Sequence, residues 1–482
     1  MTIFLDRQFC EQARQSRDPR FDGKFFVAVI STGIYCRNVC RVKLPLAKNV
    51  VFYASAAAAQ KKGFRPCLRC RPETVPGSFA WQGTGTSVGR AVRLWHQDPA
   101  QSVGQLCTRL GMGERHLHRL FLQHMGVNPM AVRQSIRLHQ AKRLLDETNL
   151  PMSQVSQLSG YSSQRRFNDH LVSSYGCTPS QLRNKTKHHA TKVPSLSLQL
   201  HYRPPYDWDA LLEFLSIRSI PGVEVIEAGE YRRSIRLGGQ YCLLRVRQDK
   251  ANHRLLCNIT PAPESELLLV TEKLRNMFDL YADPIEIDKV LSLEPRLQQN
   301  LKRHPGLRIS GCWDGFETCI RAIVGQQISV TGAITIVGRI VARYGTACDL
   351  GAGVTHVFPS SQKLSKELEL DHLAMPRARA QAIANVCHAN ASGAIDFEQM
   401  GVEELMKNLQ NIKGIGPWTA AYVAVRAMHE PDIMPVQDLV LQKMLIPSER
   451  LTAKQLQTRA EAWRPWRAYA TFHLWQLATD TI

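Results

Sequence analysis

Long apolar segments are missing from this sequence of 482 residues. No run approaches the roughly 18 consecutive apolar residues that a membrane-spanning helix needs, which excludes a helical membrane protein. The first residues mix charged and apolar side chains, so the apolar core of a secretory signal is missing too. The 13 cysteines are an odd number and most stand alone, so a disulfide framework is not expected. We therefore expect a cytoplasmic protein without a membrane partner, in which clustered cysteines bind a metal or do chemistry.

Negative charge is scarce in one part of the chain only. Residues 1–192 contain 29 Lys and Arg against 10 Asp and Glu, a surplus of +19. Residues 193–482 contain 32 against 31, a surplus of +1. A basic segment favours a polyanionic partner such as nucleic acid, although charge alone is equally compatible with a solvated basic surface. The ordinary proportions of apolar (44%) and charged (21%) residues exclude a wholly disordered chain.

Linker-like segments divide the chain. Residues 76–89 are rich in Gly, Ser and Thr, residues 184–195 are polar and basic, and a weaker break lies at residues 302–311. Between these segments, short mixed runs alternate with helical periodicity. We therefore predict a multidomain fold, mainly α with α+β parts. The domains are expected at residues 1–76 (α+β), 87–184 (helical), 196–306 (α+β, rich in strands) and 307–482 (helical).

One internal repeat lies in the second domain. Residues 126–129 (Gly-Val-Asn-Pro) recur 50 positions later as Gly-Cys-Thr-Pro at residues 176–179. Upstream of each copy, the sequence predicts a helix, a turn containing glycine and a second helix, which is typical of a helix-turn-helix. The predicted helices are Val103–Leu110, Glu114–Met125, Met152–Leu158 and Gln164–Tyr175, with a long helix at Pro129–Thr148 between the copies.

Four cysteines form two close pairs. Three residues separate Cys36 from Cys40, two separate Cys67 from Cys70, and 26 lie between the pairs. Thiolates at this spacing can surround one Zn²⁺ tetrahedrally. Spacing alone favours a purely structural zinc site.

The residues around these cysteines carry a resemblance. Residues 25–41 (FFVAVISTGIYCRNVCR) and 63–73 (GFRPCLRCRPE) resemble the N-terminal domain of the Ada methylation-response family. The resemblance implies that the four cysteines bind one Zn²⁺ and that Cys36 irreversibly accepts a methyl group from a DNA methylphosphotriester. Nearby arginines, including Arg37 and Arg71, are expected to hold the phosphate backbone. Methylation removes one thiolate charge and so weakens repulsion from DNA, which would make it a switch for transcription.

Residues 87–183 resemble the AraC-type DNA-binding domain, which also follows the cysteine domain in the Ada family. The resemblance implies that the second helix of each copy enters the major groove, and that promoter DNA and RNA polymerase are partners. For any one side chain, a phosphate contact or a merely solvated position remains open beside base reading. The side chains expected to contact DNA are Arg115, Arg119, Arg165 and Arg166.

The last domain contains the pattern L-x-x-I-x-G-I-G within Leu409–Tyr422 (LQNIKGIGPWTAAY). Its two glycines, Gly414 and Gly416, predict a helix-hairpin-helix whose backbone N–H groups bind a DNA phosphate. The hairpin carbonyls are also a candidate site for a monovalent cation. With Asp438 downstream, this order resembles the helix-hairpin-helix DNA glycosylases. Part of that family has a lysine where Trp418 stands, so we predict a glycosylase without strand-cutting activity.

A closer resemblance, to the AlkA-type 3-methyladenine DNA glycosylase, lies in residues 201–226 and 463–475. It implies that Asp438 is the catalytic carboxylate. The residues expected to line the base pocket are Trp418, Tyr422 and Trp475. A carboxylate and aromatic side chains suit the reaction, because a carboxylate stabilises the developing sugar cation and aromatic faces attract a cationic alkylated base. Gln327 occupies the position that fills the gap left by the flipped base, where the enterobacterial type has leucine.

Other interpretations of these residues remain open. Asp438 could be only a helix N-cap, Tyr422 and Trp475 could be core aromatics, and Glu430 and Asp432 are rival carboxylates. We nevertheless predict a monomeric DNA alkylation-response protein that senses methylphosphotriesters, regulates transcription and excises alkylated bases from double-stranded DNA. The alternatives are a transcription regulator with an inactive glycosylase module, or a plain glycosylase whose zinc-binding arm only contacts DNA.

Overall fold

The computed structural model describes residues 7–17, 25–40, 42–67, 70, 72, 86–148, 150–184, 196–261, 266–398, 400–446 and 449–480. The chain divides into two compact units, Met1–Lys192 and Val193–Ile482. The division falls inside the predicted linker at residues 184–195, where the charge balance also changes. Within the described ranges, no helix combines the length and the apolar character needed to cross a membrane.

The first unit begins with a helix and a small sheet. The β1 strand (FVAV) is buried along its whole length, because one side of the sheet is covered by the first helix and the other by α2. β1 is antiparallel to β2 and β3, while β2 and β4 are parallel, which gives the order β3-β1-β2-β4. The elements are α1 (Arg7–Gln15), β1 (Phe26–Val29), β2 (Ile34–Arg37), β3 (Val50–Tyr53), α2 (Ala56–Lys61) and β4 (Arg65–Pro66).

Seven helices follow in the described part of the first unit. Four of them begin and end where the repeat predicts, and the long central helix ends one residue earlier than expected. Gly111, Gly126 and Gly176 adopt φ angles of 66°, 71° and 69°, so glycine ends three of these helices in the left-handed region. The helices are α3 (Thr86–Gln97), α4 (Val103–Leu110), α5 (Glu114–Met125), α6 (Pro129–Glu147), α7 (Met152–Leu158), α8 (Gln164–Tyr175) and α9 (Pro179–Asn184).

The sheet and the first helix-turn-helix share one hydrophobic core. Two buried hydrogen bonds join them as well. The Tyr35 hydroxyl lies 3.0 Å from Nε2 of His139 on α6, and the Ser55 hydroxyl donates to the Met125 carbonyl at 2.9 Å. The two parts of the first unit therefore pack as one body. Buried members of the shared core include Phe26, Tyr35, Ala56, Trp95, Leu106 and Phe121.

The second unit opens with a five-stranded antiparallel sheet in the order β5-β9-β8-β7-β6. Alternate residues of β5 (LSLQLH) are buried, as the alternating sequence predicts. The predicted helix at Trp208–Ser216 is confirmed and joins β5 to β6. The elements are β5 (Leu196–His201), α10 (Trp208–Ser216), β6 (Glu224–Glu227), β7 (Glu230–Leu237), β8 (Gln240–Asp249) and β9 (Arg254–Thr260).

Helices make up most of the rest of the second unit, around two hydrophobic cores. One helix, α19 (Pro417–Ala427), belongs to both, because Ala420 and Val423 lie in one core and Val425 lies in the other. This helix therefore lies where the two cores meet. The elements are α11 (Leu267–Met277), α12 (Pro284–Leu291), α13 (Pro295–Arg303), α14 (Gly315–Val324), α15 (Val330–Tyr344), β10 (Thr346–Ala347), β11 (His356–Val357), α16 (Ser361–Glu367), α17 (Arg377–Ala391), α18 (Val402–Gln410), α19 (Pro417–Ala427), α20 (Leu439–Met444), α21 (Ala453–Ala460) and α22 (Arg467–Thr479).

Candidate functional site

The four clustered cysteines meet at one end of the first sheet. The parallel pairing of β2 with β4 brings the two pairs together, and the Cys67 amide donates to the Tyr35 carbonyl at 3.0 Å. The four Sγ atoms all lie within 4.8 Å of one another. Zn–S bonds of about 2.3 Å in a tetrahedron place the sulfurs about 3.8 Å apart, so this donor set fits one Zn²⁺.

Burial limits what can reach this cluster. Cys36 is only 6% exposed. Arg37 is 2% exposed: its amide donates to Cys70 Sγ at 3.4 Å and its guanidinium donates to the Cys70 carbonyl at 3.5 Å. Arg37 therefore stabilises the cluster from the interior of the domain. Because its side chain is buried, it cannot make the expected contact with a DNA phosphate in this structure. Arg71 lies outside the described residues.

The second helix of each helix-turn-helix presents its predicted contact residues to solvent. In α5 the face of Leu117, Phe121 and Met125 is buried, which turns Arg115 and Arg119 outward. In α8, Arg165 and Arg166 are exposed in the same way, because the buried face of this helix lies on its other side. The exposed guanidinium groups suit a polyanion without distinguishing phosphate from base contacts.

The two hairpin glycines occupy different environments. Gly414 has a φ angle of 96°, and a Cβ atom there would lie 2.8 Å from the Cβ atom of Ala382. Gly416 precedes α19 as its N-cap, and a Cβ atom there would meet nothing within 4 Å. No side chain caps the start of α19. The sequence thus needs glycine at Gly414 for the turn, while Gly416 leaves the N-terminus of the helix open to an anion.

Asp438 lies beside the first turn of α19 and is 8% exposed. Its Oδ1 accepts from the Val440 amide at 2.9 Å and the Leu441 amide at 3.2 Å, which caps α20. Its Oδ2 accepts from the Trp418 indole N–H at 2.8 Å. Asp438 is thus an N-cap, as the simpler interpretation holds, and also a carboxylate fixed by three N–H donors at an aromatic wall.

Three aromatic rings form a row that begins at the ring bonded to this carboxylate. Trp418 stacks on Tyr422 with ring centroids 5.4 Å apart and planes 23° apart, and Tyr422 lies 5.9 Å from Trp475. The structure thus brings together the three predicted pocket residues. The Tyr422 hydroxyl accepts from Arg426 at 2.9 Å. Burial alone would raise the pKa of Tyr422, but the charges of Arg426 and Arg218 lower it below its usual value.

The rival carboxylates have other partners. Asp432 accepts from Arg464 and from Arg467 at 2.8 Å each. Burial raises the pKa of Glu430, which accepts from the Asp432 amide at 3.4 Å. Of the three carboxylates considered, only Asp438 is bonded to the aromatic wall.

Gln327 lies in the turn between α14 and α15, is exposed, and has a φ angle of 56°. Its neighbour Gln326 ties this turn to the hairpin, because its side-chain amide donates to the Gly414 carbonyl at 3.1 Å and to the Thr419 hydroxyl at 2.9 Å. Sequence analysis identifies Gln327 and not Gln326. Nothing in a pair of adjacent glutamines indicates which of the two makes a long-range contact. The same holds for Arg426, whose role depends on a carbonyl more than a hundred residues away, at Ser310.

Comparisons with protein families match three segments of the chain. The metal binding domain of Ada matches residues 9–73, a helix-turn-helix domain matches residues 106–185, and the AlkA N-terminal domain matches residues 197–314. The three matches follow the order that the sequence predicts.

Similar proteins and structures agree with these matches. A Mycobacterium tuberculosis protein named probable bifunctional transcriptional activator/DNA repair enzyme AlkA is 36% identical over 98% of this chain and 96% of its own length. The Escherichia coli DNA-3-methyladenine glycosylase 2 is 34% identical over 57% of this chain and 95% of its own length. The structure of a 3-methyladenine DNA-glycosylase from Archaeoglobus fulgidus matches with a TM-score of 0.51 at 22% identity, covering 57% of this chain and 96% of that one, which concerns the fold alone.

Proposed function

The chain belongs to the family of bifunctional transcriptional activators and DNA repair enzymes that join an Ada-type zinc domain, a helix-turn-helix domain and a 3-methyladenine DNA glycosylase, and on that premise we propose which residues do each task. Asp438 is the carboxylate that drives base excision, and Cys36 is the sulfur that accepts a methyl group from a DNA methylphosphotriester.

The observation that carries the excision proposal is the bonding of Asp438. Three N–H donors fix the orientation of the carboxylate, beside a stack of aromatic rings that suits a flipped base. A base alkylated at N3 or N7 leaves with the electrons of the glycosidic bond, and positive charge develops on the sugar. A fixed negative charge beside that sugar stabilises the cation, and water then completes the hydrolysis. With Trp418 where part of the superfamily has lysine, no amine forms a covalent bond with the sugar.

Replacement of the carboxylate tests this proposal. Asp438→Asn is expected to lower release of 3-methyladenine from methylated duplex DNA at least about 100-fold, the cost of removing several kcal/mol of preorganised charge stabilisation. Asparagine is as good an N-cap as aspartate, so α20 keeps its start and DNA binding is retained. Single-turnover base release and fluorescence anisotropy measure the two effects. Undiminished release would transfer the role to Glu430 or Asp432.

The methyl-acceptor proposal is supported by a four-thiol cluster in a strongly basic segment. Bound Zn²⁺ keeps the four sulfurs deprotonated at neutral pH while they stay nucleophilic. The Cys36 sulfur attacks the methyl carbon, the new S–C bond replaces the C–O bond, and the phosphodiester leaves as an anion. One thiolate charge is lost, and the repulsion between the cluster and DNA phosphates falls.

The regulatory proposal follows from the repeat. Two reading helices in one chain supply what many DNA-binding proteins obtain by dimerisation, so a monomer suffices for a two-part operator. We propose that the DNA-bound monomer contacts RNA polymerase at the promoter. Sedimentation of the chain on promoter DNA, with and without polymerase, tests both statements, and a DNA-bound dimer would contradict the first.

A further inference from the structure

We propose that Leu122 on α5 and Val172 on α8 each contact the 5-methyl group of a thymine in the major groove, and so set part of the operator sequence. The inference rests on the proposed role of α5 and α8 as reading helices and adds the chemistry of one contact in each.

The two residues hold the same place in the repeat. Each is the ninth residue of a 12-residue helix, and they are 50 positions apart, which is the repeat distance. Leu122 is 46% exposed and Val172 is 43% exposed. Single exposed aliphatic residues are common on protein surfaces, but the same choice in both copies indicates a shared task.

The helical geometry places each of them on one line with a predicted contact arginine. At about 100° per residue, Arg115 and Leu122 project within about 20° of each other around the axis of α5, roughly 100–120° from the middle of the buried face. Arg165 and Val172 are related in the same way on α8. Each helix thus presents an arginine near its N-terminus and an aliphatic side chain near its C-terminus along one line.

DNA of the right sequence offers an apolar partner on that line. The thymine 5-methyl is the apolar group that base edges display in the major groove, and aliphatic side chains contact it. The surrounding charge suits the same occupant, since residues 1–192 carry a surplus of +19. A protein partner on this face would have to match the exposed arginines with acidic side chains.

The spacing gives the inference a measurable form. Seven residues at a rise of about 1.5 Å separate the arginine from the aliphatic side chain by about 10 Å. This distance corresponds to at most about three base pairs at about 3.4 Å each, because a helix inclined along the groove advances less along the DNA axis than along its own. We therefore expect one critical thymine in each half-site, within about three base pairs of the arginine contact, with the half-sites about one helical turn apart.

Replacement of thymine by uracil tests the contact, because it removes one methyl group and nothing else. The full chain carrying Asp438→Asn, in which base release is expected to be strongly slowed, first selects operators from a random duplex library with excess non-specific DNA. Each thymine of the selected operator is then replaced singly by deoxyuridine. At one thymine in each half-site, the affinity is expected to fall about fourfold, the factor that corresponds to about 0.8 kcal/mol for one buried CH₂ group.

The variants connect each thymine with its residue. Leu122→Ala should weaken binding to the thymine operator and become indifferent to uracil in its own half-site, while remaining sensitive in the other. Val172→Ala should do the reverse. Met130→Ala is the matched control, since Met130 is 45% exposed but stands at the start of α6 and not on a reading helix. It should keep the full sensitivity to uracil in both half-sites.

The outcomes separate this inference from the proposed function. If uracil has no effect at any position while Arg115→Ala and Arg165→Ala still weaken binding, the thymine contact is wrong and the reading helices stand. If the arginine variants also bind normally, α5 and α8 do not read DNA. A Leu122→Ala protein that keeps its DNA affinity and loses transcription activation would assign this face to a protein partner and overturn the inference.

Discussion

At the residue scale, Asp438 combines an observed structural task with the chemical task that we propose for it. One oxygen caps α20 through two backbone amides, and the other receives the Trp418 indole N–H at 2.8 Å. The cap fixes the backbone, and the indole fixes the rotation of the carboxylate. In the proposed site, Trp418 is therefore a positioning residue as well as a wall of the base pocket.

Trp418→Phe is expected to slow base release about 10- to 100-fold, because a hydrogen bond to a charged group contributes about 1.5–3 kcal/mol. Phenylalanine keeps an aromatic face toward Tyr422 but cannot donate to Asp438. Single-turnover rates at saturating enzyme measure the effect apart from binding.

Trp475→Phe is the matched control for that variant, since Trp475 belongs to the same aromatic stack. In an Asp438→Asn background, Trp418→Phe should add little further loss, because the two residues act as a unit, whereas Trp475→Phe should still lower the rate. If Trp418→Phe and Trp475→Phe lowered the rate equally in that background, Trp418 would only line the pocket and would not position Asp438.

Cys36→Ala should abolish methyl transfer from a duplex that contains a methylphosphotriester, because the other three cysteines keep a metal but lack the acceptor sulfur. Mass spectrometry of the intact chain should show one added methyl group on the wild-type chain and none on the variant. Zinc content, measured in parallel, shows whether the site survives. Cys177→Ala, outside the cluster, should react normally, and a methylated Cys36→Ala protein would move the acceptor to another cysteine.

At the element scale, the hairpin between α18 and α19 shows how two glycines of one motif differ. Gly414 bends the chain at a φ angle of 96°, against Ala382, and its carbonyl accepts from Gln326. Gly416 stands free at the start of α19. One glycine therefore belongs to the fold, and the other leaves room for a partner.

Gly414→Ala is expected to lower the free energy of unfolding of the second unit by at least about 1–2 kcal/mol, the usual cost of a left-handed L-residue, with the close approach to Ala382 adding to it. Gly416→Ala should change stability little and weaken DNA binding, since the added methyl projects where a phosphate would lie. Urea unfolding and anisotropy with an abasic-site duplex measure the two. If Gly416→Ala binds DNA normally, the phosphate is held elsewhere.

The elements also show what the sequence can predict and what it cannot. The helices of the repeat were predicted to within one residue, because apolar periodicity, N-caps and C-terminal glycines are local signals. The cysteine cluster is predicted from a different local signal, the close spacing within each cysteine pair. Sequence does not predict the hydrogen bonds from Gln326 to Gly414 and from Trp418 to Asp438, because each joins residues that are distant in sequence. It does not predict the burial of Arg37 either, because that depends on the side on which its strand packs. The division into four domains stays a prediction, while the compact units are two.

At the scale of the whole molecule, the charge distribution separates two kinds of DNA binding. The surplus of +19 lies in residues 1–192, which also contain the cysteine cluster; on the proposed function its zinc-bound thiolates oppose the approach of phosphate. The second unit is nearly neutral overall and is expected to bind DNA through the hairpin and the flipped base.

Methylation of Cys36 is therefore expected to tighten operator binding about five- to tenfold. Removal of one charge at about 5 Å through an effective dielectric constant of about 20 changes the interaction by up to about 3 kcal/mol, and by nearer about 1 kcal/mol after screening by salt. Titration of methylated and unmethylated chains at two salt concentrations measures it, and the gain should shrink at high salt. Affinity for a duplex with an abasic site should not change. Equal operator affinities at low salt would make the cluster a repair site without a regulatory role.

The core shared by the cysteine-bearing sheet and the first helix-turn-helix limits how genes of this kind can be recombined. A crossover between the sheet and the helices would strip Trp95 and Phe121 of their partners and leave His139 without Tyr35. A crossover between Lys192 and Val193 leaves the hydrophobic cores of both units whole. Natural or engineered chimaeras are thus expected to keep the cysteine-bearing sheet and the helix-turn-helix domain together. The second unit is the part that such chimaeras can exchange.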